Sequence, residues 1–246
     1  MLCQVRSRSR VRQEPGQPHL QADLTERGRL LRGSSRILTL LSAKLRRKRF
    51  RLFETLLSQL QEPIHILDVG GTQSSWDLMS LSPTSAVSVT LLNLRHESVS
   101  LPNFSSVIGD ARDMTSFADA RFDVVFSNSV IEHVGGFEDQ RRMAREVQRV
   151  GKRYFVQTPN RHFPIEPHFL FPFFQFLPVQ ARVRLVRHFA LGWYPRAPDN
   201  ESARRMVEEI RLLTKQELLT LFPGASVFEE NFLGMTKSFT FYCGWH

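Results

Sequence analysis

The sequence predicts an α/β fold, a doubly wound and mostly parallel sheet with helices on both faces. Three observations predict it. Ile64, Ile66, Leu67 and Val69 form an apolar run that stops at Gly70 and Gly71, with Thr72, Ser74 and Ser75 placed to cap a following helix. Further short apolar runs follow, separated by helical or loop crossovers. Each ends in a small or polar residue, so Asp68 with Gly70, Asn93, Asp110, Asn128 and Thr158 would share the carboxyl edge of one sheet, where such folds bind ligands.

The elements are justified in order as follows. Residues 1–34 alternate Arg with Ser and carry Pro and Gly, a composition that favours a disordered basic tail. Over 35–61, Ile37, Leu40, Leu41, Leu45, Leu52, Leu56, Leu57 and Leu60 recur at spacings of three and four, which predicts an amphipathic helix ended by Pro63. Its basic block, Lys44, Arg46 to Arg49 and Arg51, is read as the solvated face of a helix packed by its leucines onto the main domain, residues 62–246, with peripheral membrane contact as a further use. After the glycine turn come a short helix from Trp76 to Leu81 and strands at Ala86 to Leu92, at Val107 and Ile108, at Phe122 to Ser127 and at Tyr154 to Thr158. A helix from Glu138 to Val150 separates the last two. An insertion over 159–200 holds six phenylalanines between Phe163 and Phe176, then a basic helix from Val179 to Ala190 whose Arg182, Arg184 and Arg187 are candidates to serve an anionic group. Thr214 and Glu217 form a capping box, and strands near Ser226 to Glu229 and Ser238 to Tyr242 close the domain.

Charge and cysteine content narrow the function classes. The first 60 residues hold 14 Lys and Arg against 4 Asp and Glu, and the rest 19 against 20, so the net charge of +9 belongs to the N-terminal quarter. A near-neutral body does not suggest a nucleic-acid surface, and nucleic acid is not an expected partner. No signal-peptide core and no uncharged run of membrane-spanning length occurs. The two cysteines, Cys3 and Cys243, suggest neither a disulfide framework nor a thiolate metal site, and a reducing cytoplasm fits best.

The motifs ILDVGG, GDARDM and FDVVFSNSVIEHV together resemble the class I methyltransferases that use S-adenosylmethionine, with their compact seven-stranded domain. RYFVQTPNRHFPIEPHF is similar to a subgroup whose fifth strand runs into a TPN segment and a Pro- and His-bearing insertion. The resemblance implies S-adenosylmethionine as cofactor, with Asp68, Gly70, Gly71 and Thr72 at the methionine moiety and Asn93 at the ribose. It also implies Asp110 and Ala111 at the adenine, and Asn128 and Ser129 under the transferable methyl. Thr72 and Ser74 stand where that pattern has glycines, and Asn93 stands where an acidic residue is usual, which implies weaker cofactor affinity.

On the substrate side, Glu132, His133 and His168 are the catalytic candidates, since a histidine near neutral pKa suits proton abstraction from a hydroxyl. His162, Phe163, Glu166 and Phe169 are the substrate candidates, under a lid whose apolar wall would accept a small hydrophobic or lipid-like molecule. No metal is expected, because Pro164 and Pro167 break the helical spacing of ligands. The competing expectation is a non-catalytic cofactor binder, or an RNA- or membrane-associated protein using its basic N-terminal region.

Overall fold

The computed structural model describes residues 47–78 and 86–245. The readings on the basic tail, on Lys44 and Arg46, and on the helix end near Leu81 lie outside these residues. Strand β1 (Ile64–Val69) is buried on both faces: Ile64 and Ile66 join one core cluster, Leu67 and Val69 the other. This is what a near-continuous apolar run requires of a central parallel strand. It pairs in parallel with β2 (Val87–Asn93) and β4 (Val124–Asn128), and β3 (Phe104–Ile108) and β5 (Tyr154–Pro159) extend the parallel order. The short pair β6 (Ile165–Glu166) and β7 (Phe171–Pro172) stands apart in the insertion. β8 (Ser226–Phe232) and β9 (Met235–Cys243) complete a seven-stranded sheet of order β3-β2-β1-β4-β5-β9-β8, with β9 antiparallel to both neighbours.

Residues 47–57 form helix α1, which packs onto the sheet. Its Phe53 has no exposed surface, and its ring lies 4.7 Å from that of Phe126 and 4.9 Å from that of Phe155, both strand residues. Arg49, read as part of a solvated face, is buried 3.5 Å from Glu230 of β8, while Arg47, Lys48 and Arg51 are exposed. Phe50, Phe53 and Leu56 at three-residue spacing give the helix an apolar stripe that the surrounding charge conceals.

Helix α2 (Gln73–Leu78) begins three residues before its expected start, with the Thr72 hydroxyl accepting from the Ser75 N–H at 3.2 Å. α3 (Phe137–Val150) packs Met143, Val147 and Val150 on one sheet face. α4 (Val179–His188) and α5 (Asn200–Glu208), the latter not expected, enclose a third cluster with Phe169, Phe174 and Tyr194, so the insertion has its own small core. α6 (Lys215–Leu221) carries the expected box between Thr214 and Glu217. Among the described residues, no helix is long and apolar enough to cross a membrane.

Candidate active site at the carboxyl edge of the sheet

The turn after β1 is built from two glycines with different duties. Gly70 has φ +74°, the left-handed region, and a Cβ there would lie 2.6 Å from Val130 Cγ2. Gly71 covers the Asp68 carboxylate so closely that a Cβ would stand 1.7 Å from its Oδ2. That oxygen accepts from the indole N–H of Trp76 at 2.7 Å. Burial raises the Asp68 pKa to about 7, and the indole hydrogen bond offsets this only in part. Asn93 donates through Nδ2 to the Gly71 carbonyl at 2.8 Å, and its Oδ1 has no hydrogen-bond partner among the described residues. Asp68 and Asn93 thus brace the turn from below. Trp76 was missed as a site residue: only its bulk and donor-only indole marked it.

Asp110 sits in the loop after β3, its oxygens 2.6 to 2.9 Å from Nε and Nη2 of Arg112. Hydrogen bonds from that guanidinium hold its pKa below the usual carboxylate range. Any amine reaching Asp110 therefore shares its acceptor oxygens with Arg112. Ala111 is buried in the first core cluster. At the tip of β4, Ser127 Oγ and Asn128 Oδ1 are buried without a partner, and Ser129 (φ +57°) donates to Gln157 Oε1 at 2.9 Å. A non-glycine residue in the left-handed region next to two orphaned polar atoms marks a strained, ligand-ready strand end.

The chain then enters a 3-10 turn, Ile131–His133. Glu132 has no exposed surface. Its Oε2 accepts from the Thr158 hydroxyl at 2.9 Å, Oε1 has no partner, and burial raises its pKa. His133 and His168 face each other with Nε2 atoms 3.1 Å apart. Behind His168, Glu166 accepts from the backbone N–H of His168 and Phe169 at 2.8 and 2.6 Å, and from His168 Nδ1 at 2.6 Å. Burial, and next the charge of His168, push the His133 pKa down to about 3, so it is neutral. For His168, burial lowers the pKa, but the hydrogen bond and charge of Glu166 outweigh it and the net shift is upward. The Glu166 bond fixes the tautomer with Nδ1–H, leaving Nε2 as the basic atom when the ring is neutral.

Ligand atoms of Glu132, His133 and His168 lie within 4.8 Å of one another, so this cluster could also hold a divalent ion. Spacing gave no hint of this, because the residues come from two segments 35 positions apart. The other substrate candidates divide. Phe169 packs on Phe174 with ring centroids 4.2 Å apart and lines a cavity of about 230 Å3 beside Glu166. Phe163 is buried against Phe232, and His162 is exposed and stacked on Phe176. Neither joins the histidine pair. Arg161, Gln175 and Arg211, also on the cavity wall, were not among the residues expected from sequence, whereas Arg182 belongs to the basic helix whose arginines were expected to serve an anionic group.

Residues 71–154 match a family described as a methyltransferase domain. Two proteins from strains of Mycobacterium tuberculosis, both described as uncharacterized, are 27% identical over 141 residues, which is 54% of this chain and 47% of theirs. The chain thus spans about half the length of the curated relatives it matches. Among solved structures, the CurJ carbon methyltransferase superposes with a TM-score of 0.50 at 10% identity, covering 80% of this chain and 53% of that one. A SAM-dependent methyltransferase from Methanosarcina mazei gives a TM-score of 0.43 at 18% identity, over 74% of this chain and 92% of that one.

Proposed function

The chain carries a class I S-adenosylmethionine-dependent methyltransferase domain, and from that premise we propose that it methylates an oxygen, or less favourably a nitrogen, of a small acceptor with an apolar body. The residues present fit the cofactor. The Gly70 and Gly71 turn has no room for a side chain, since a Cβ would meet Val130 or Asp68, so it offers backbone alone at the strand's end, and Asn128 Oδ1 is a buried acceptor without a partner. Gly70, Gly71, Thr72 and Asn93 would hold its methionine and ribose side. Asp110 and Ala111 would hold the base, and Asn128 and Ser129 would lie under the methyl. When bound, the cofactor supplies a methyl group on a sulfonium, which an acceptor atom attacks in line.

The observation that carries the reading is the line Glu166, His168, His133. A hydroxyl acceptor needs its proton removed as it attacks. His168 Nε2 takes that proton, while Glu166, holding Nδ1–H, orients the ring and stabilises the imidazolium. His133, neutral and 3.1 Å away, keeps a second positive charge out of the site.

The test is incubation of the protein with methyl-labelled cofactor and a fractionated cell extract. Label is expected in an organic-soluble small molecule and is expected to fall by about 100-fold or more in His168→Ala. Label found only in RNA or protein would overturn the acceptor class; undiminished labelling in His168→Ala would remove the base. Calorimetry with the cofactor checks the other half: Asp110→Ala should weaken binding by about 1 to 3 kcal/mol.

A further inference from the structure

We propose that the cavity beside Glu166 binds an oxyanion, a carboxylate or a phosphate ester, carried by the acceptor, and that Arg161 and Arg182 are its ligands. The proposal deepens the methyltransferase reading and rests on it in identifying the ligand as the acceptor. The cavity, about 230 Å3, is smaller than a typical whole-ligand pocket of about 300 to 1,000 Å3, so it suits one end of a molecule. Three arginines line it, Arg161, Arg182 and Arg211, against a single carboxylate, Glu166.

That carboxylate is already committed. Both Glu166 oxygens accept from the backbone of His168 and Phe169 and from His168 Nδ1. Arg211 is committed as well: it donates to Gln140 at 2.6 Å, pairs with Glu217 and lies 5.0 Å over the Phe137 ring. Arg161 and Arg182 differ. Neither side chain makes a hydrogen bond or ion pair among the described residues, and Arg182 Nε is buried without a partner. Burial, and then the like charge of Arg161, lower the Arg182 pKa, and the charges of Glu166 and Glu208 offset this only in part. Two like charges held together at a cavity wall, with a dry donor and no counter-charge bonded to it, are stabilised when an anion enters between them.

A third group narrows the ligand. Gln175 donates through Nε2 to the Arg161 and Phe163 carbonyls at 3.0 and 2.7 Å, and its Oε1 is left buried and unpartnered on the same wall. Arg182 Nε wants an acceptor and Gln175 Oε1 wants a donor. A hydroxyl or amine close to the oxyanion meets both. Phe169, Phe174 and Ile210 supply apolar contact for the body that links this end to the reacting atom. Glu166 connects the two functions, since it walls the cavity and holds the base.

Calorimetry on the full chain with phenyl phosphate, benzoate and uncharged benzamide tests this. One or both anions should bind at least about tenfold more tightly than benzamide, and Arg182→Gln should remove that advantage. The tighter of the two anions assigns phosphate or carboxylate. Arg184→Gln, exposed on the same helix, should change nothing. Equal binding of benzamide, an equal effect of Arg184→Gln, or no anion binding at millimolar concentration overturns the proposal. If Arg182→Gln does not fold, Arg161→Gln, at an exposed position, carries the test. Binding of S-adenosylmethionine is measured in parallel. Its loss in the wild type would sink the methyltransferase reading, and its presence without anion binding would sink this inference alone.

Discussion

Asp68 is held out of water between the Trp76 indole and the Gly71 backbone, and its charge is therefore expensive in the native state. Its folded pKa of about 7 lies above the unfolded 3.8, so the native state binds more protons across that window. The contribution of Asp68 to stability is fully present below its unfolded pKa and is lost as pH rises towards 7, by at most roughly 4 kcal/mol. Asp68→Asn keeps an acceptor for the indole and removes the charge. Its melting temperature should vary less between pH 4 and 7 than that of the wild type and should exceed it at pH 8; parallel curves would refute the assignment. At His168 the shift is also upward, and there it bears on the rate. The raised pKa means the basic form appears only above the ordinary 6.5, so kcat/KM should climb with pH to a break beyond that value. Glu166→Gln removes the charge that sustains the shift. A lower break and a rate reduced about 10- to 100-fold are expected in its pH profile, and an unmoved break would show that Glu166 only packs.

At the scale of elements, helix α1 decides how much of the chain the fold needs. Phe53 is wedged among Phe126, Phe155 and Trp76, and its truncation to Ala should cost about 3 to 5 kcal/mol in denaturant unfolding. A loss below about 1 kcal/mol would return the helix to the periphery. The same helix shows why some elements were legible in the sequence and others were not. β1, β2, β4 and β5 announced themselves because central parallel strands are apolar on both faces. β3 is an edge strand with Ser105 and Ser106 in it, so only its last two residues read as strand. α5, NESARRMVE, buries only Ala203 and Val207, too few to raise a periodic signal. Residues of the site were legible where a motif lies within one turn, as at Gly70 and Gly71. Contacts such as His133 with His168 depend on how distant segments meet, and spacing along the chain carries no record of that.

Taken whole, the molecule sets its candidate site at the carboxyl edge of one sheet, and the insertion after β5 has its own core. Two sheet faces are filled by chain from both sides of β1, and the last tie is Trp245, whose indole donates to the Leu56 carbonyl of α1 at 2.9 Å. Strand β9 sits inside the sheet, between β5 and β8, although it is the last strand in sequence among the described residues. Order of synthesis and order of assembly therefore conflict. While the ribosome is still making residues 235–243, β5 has an open edge and Phe222 lacks its partner Phe241. The nascent chain must wait with a strand edge exposed, a state open to pairing with other chains. A chain stopped after residue 233 should accordingly bind a hydrophobic dye and aggregate, and chaperone dependence during synthesis should end once β9 has emerged. A soluble, cooperatively melting 233-residue product would show that the inner strand is dispensable.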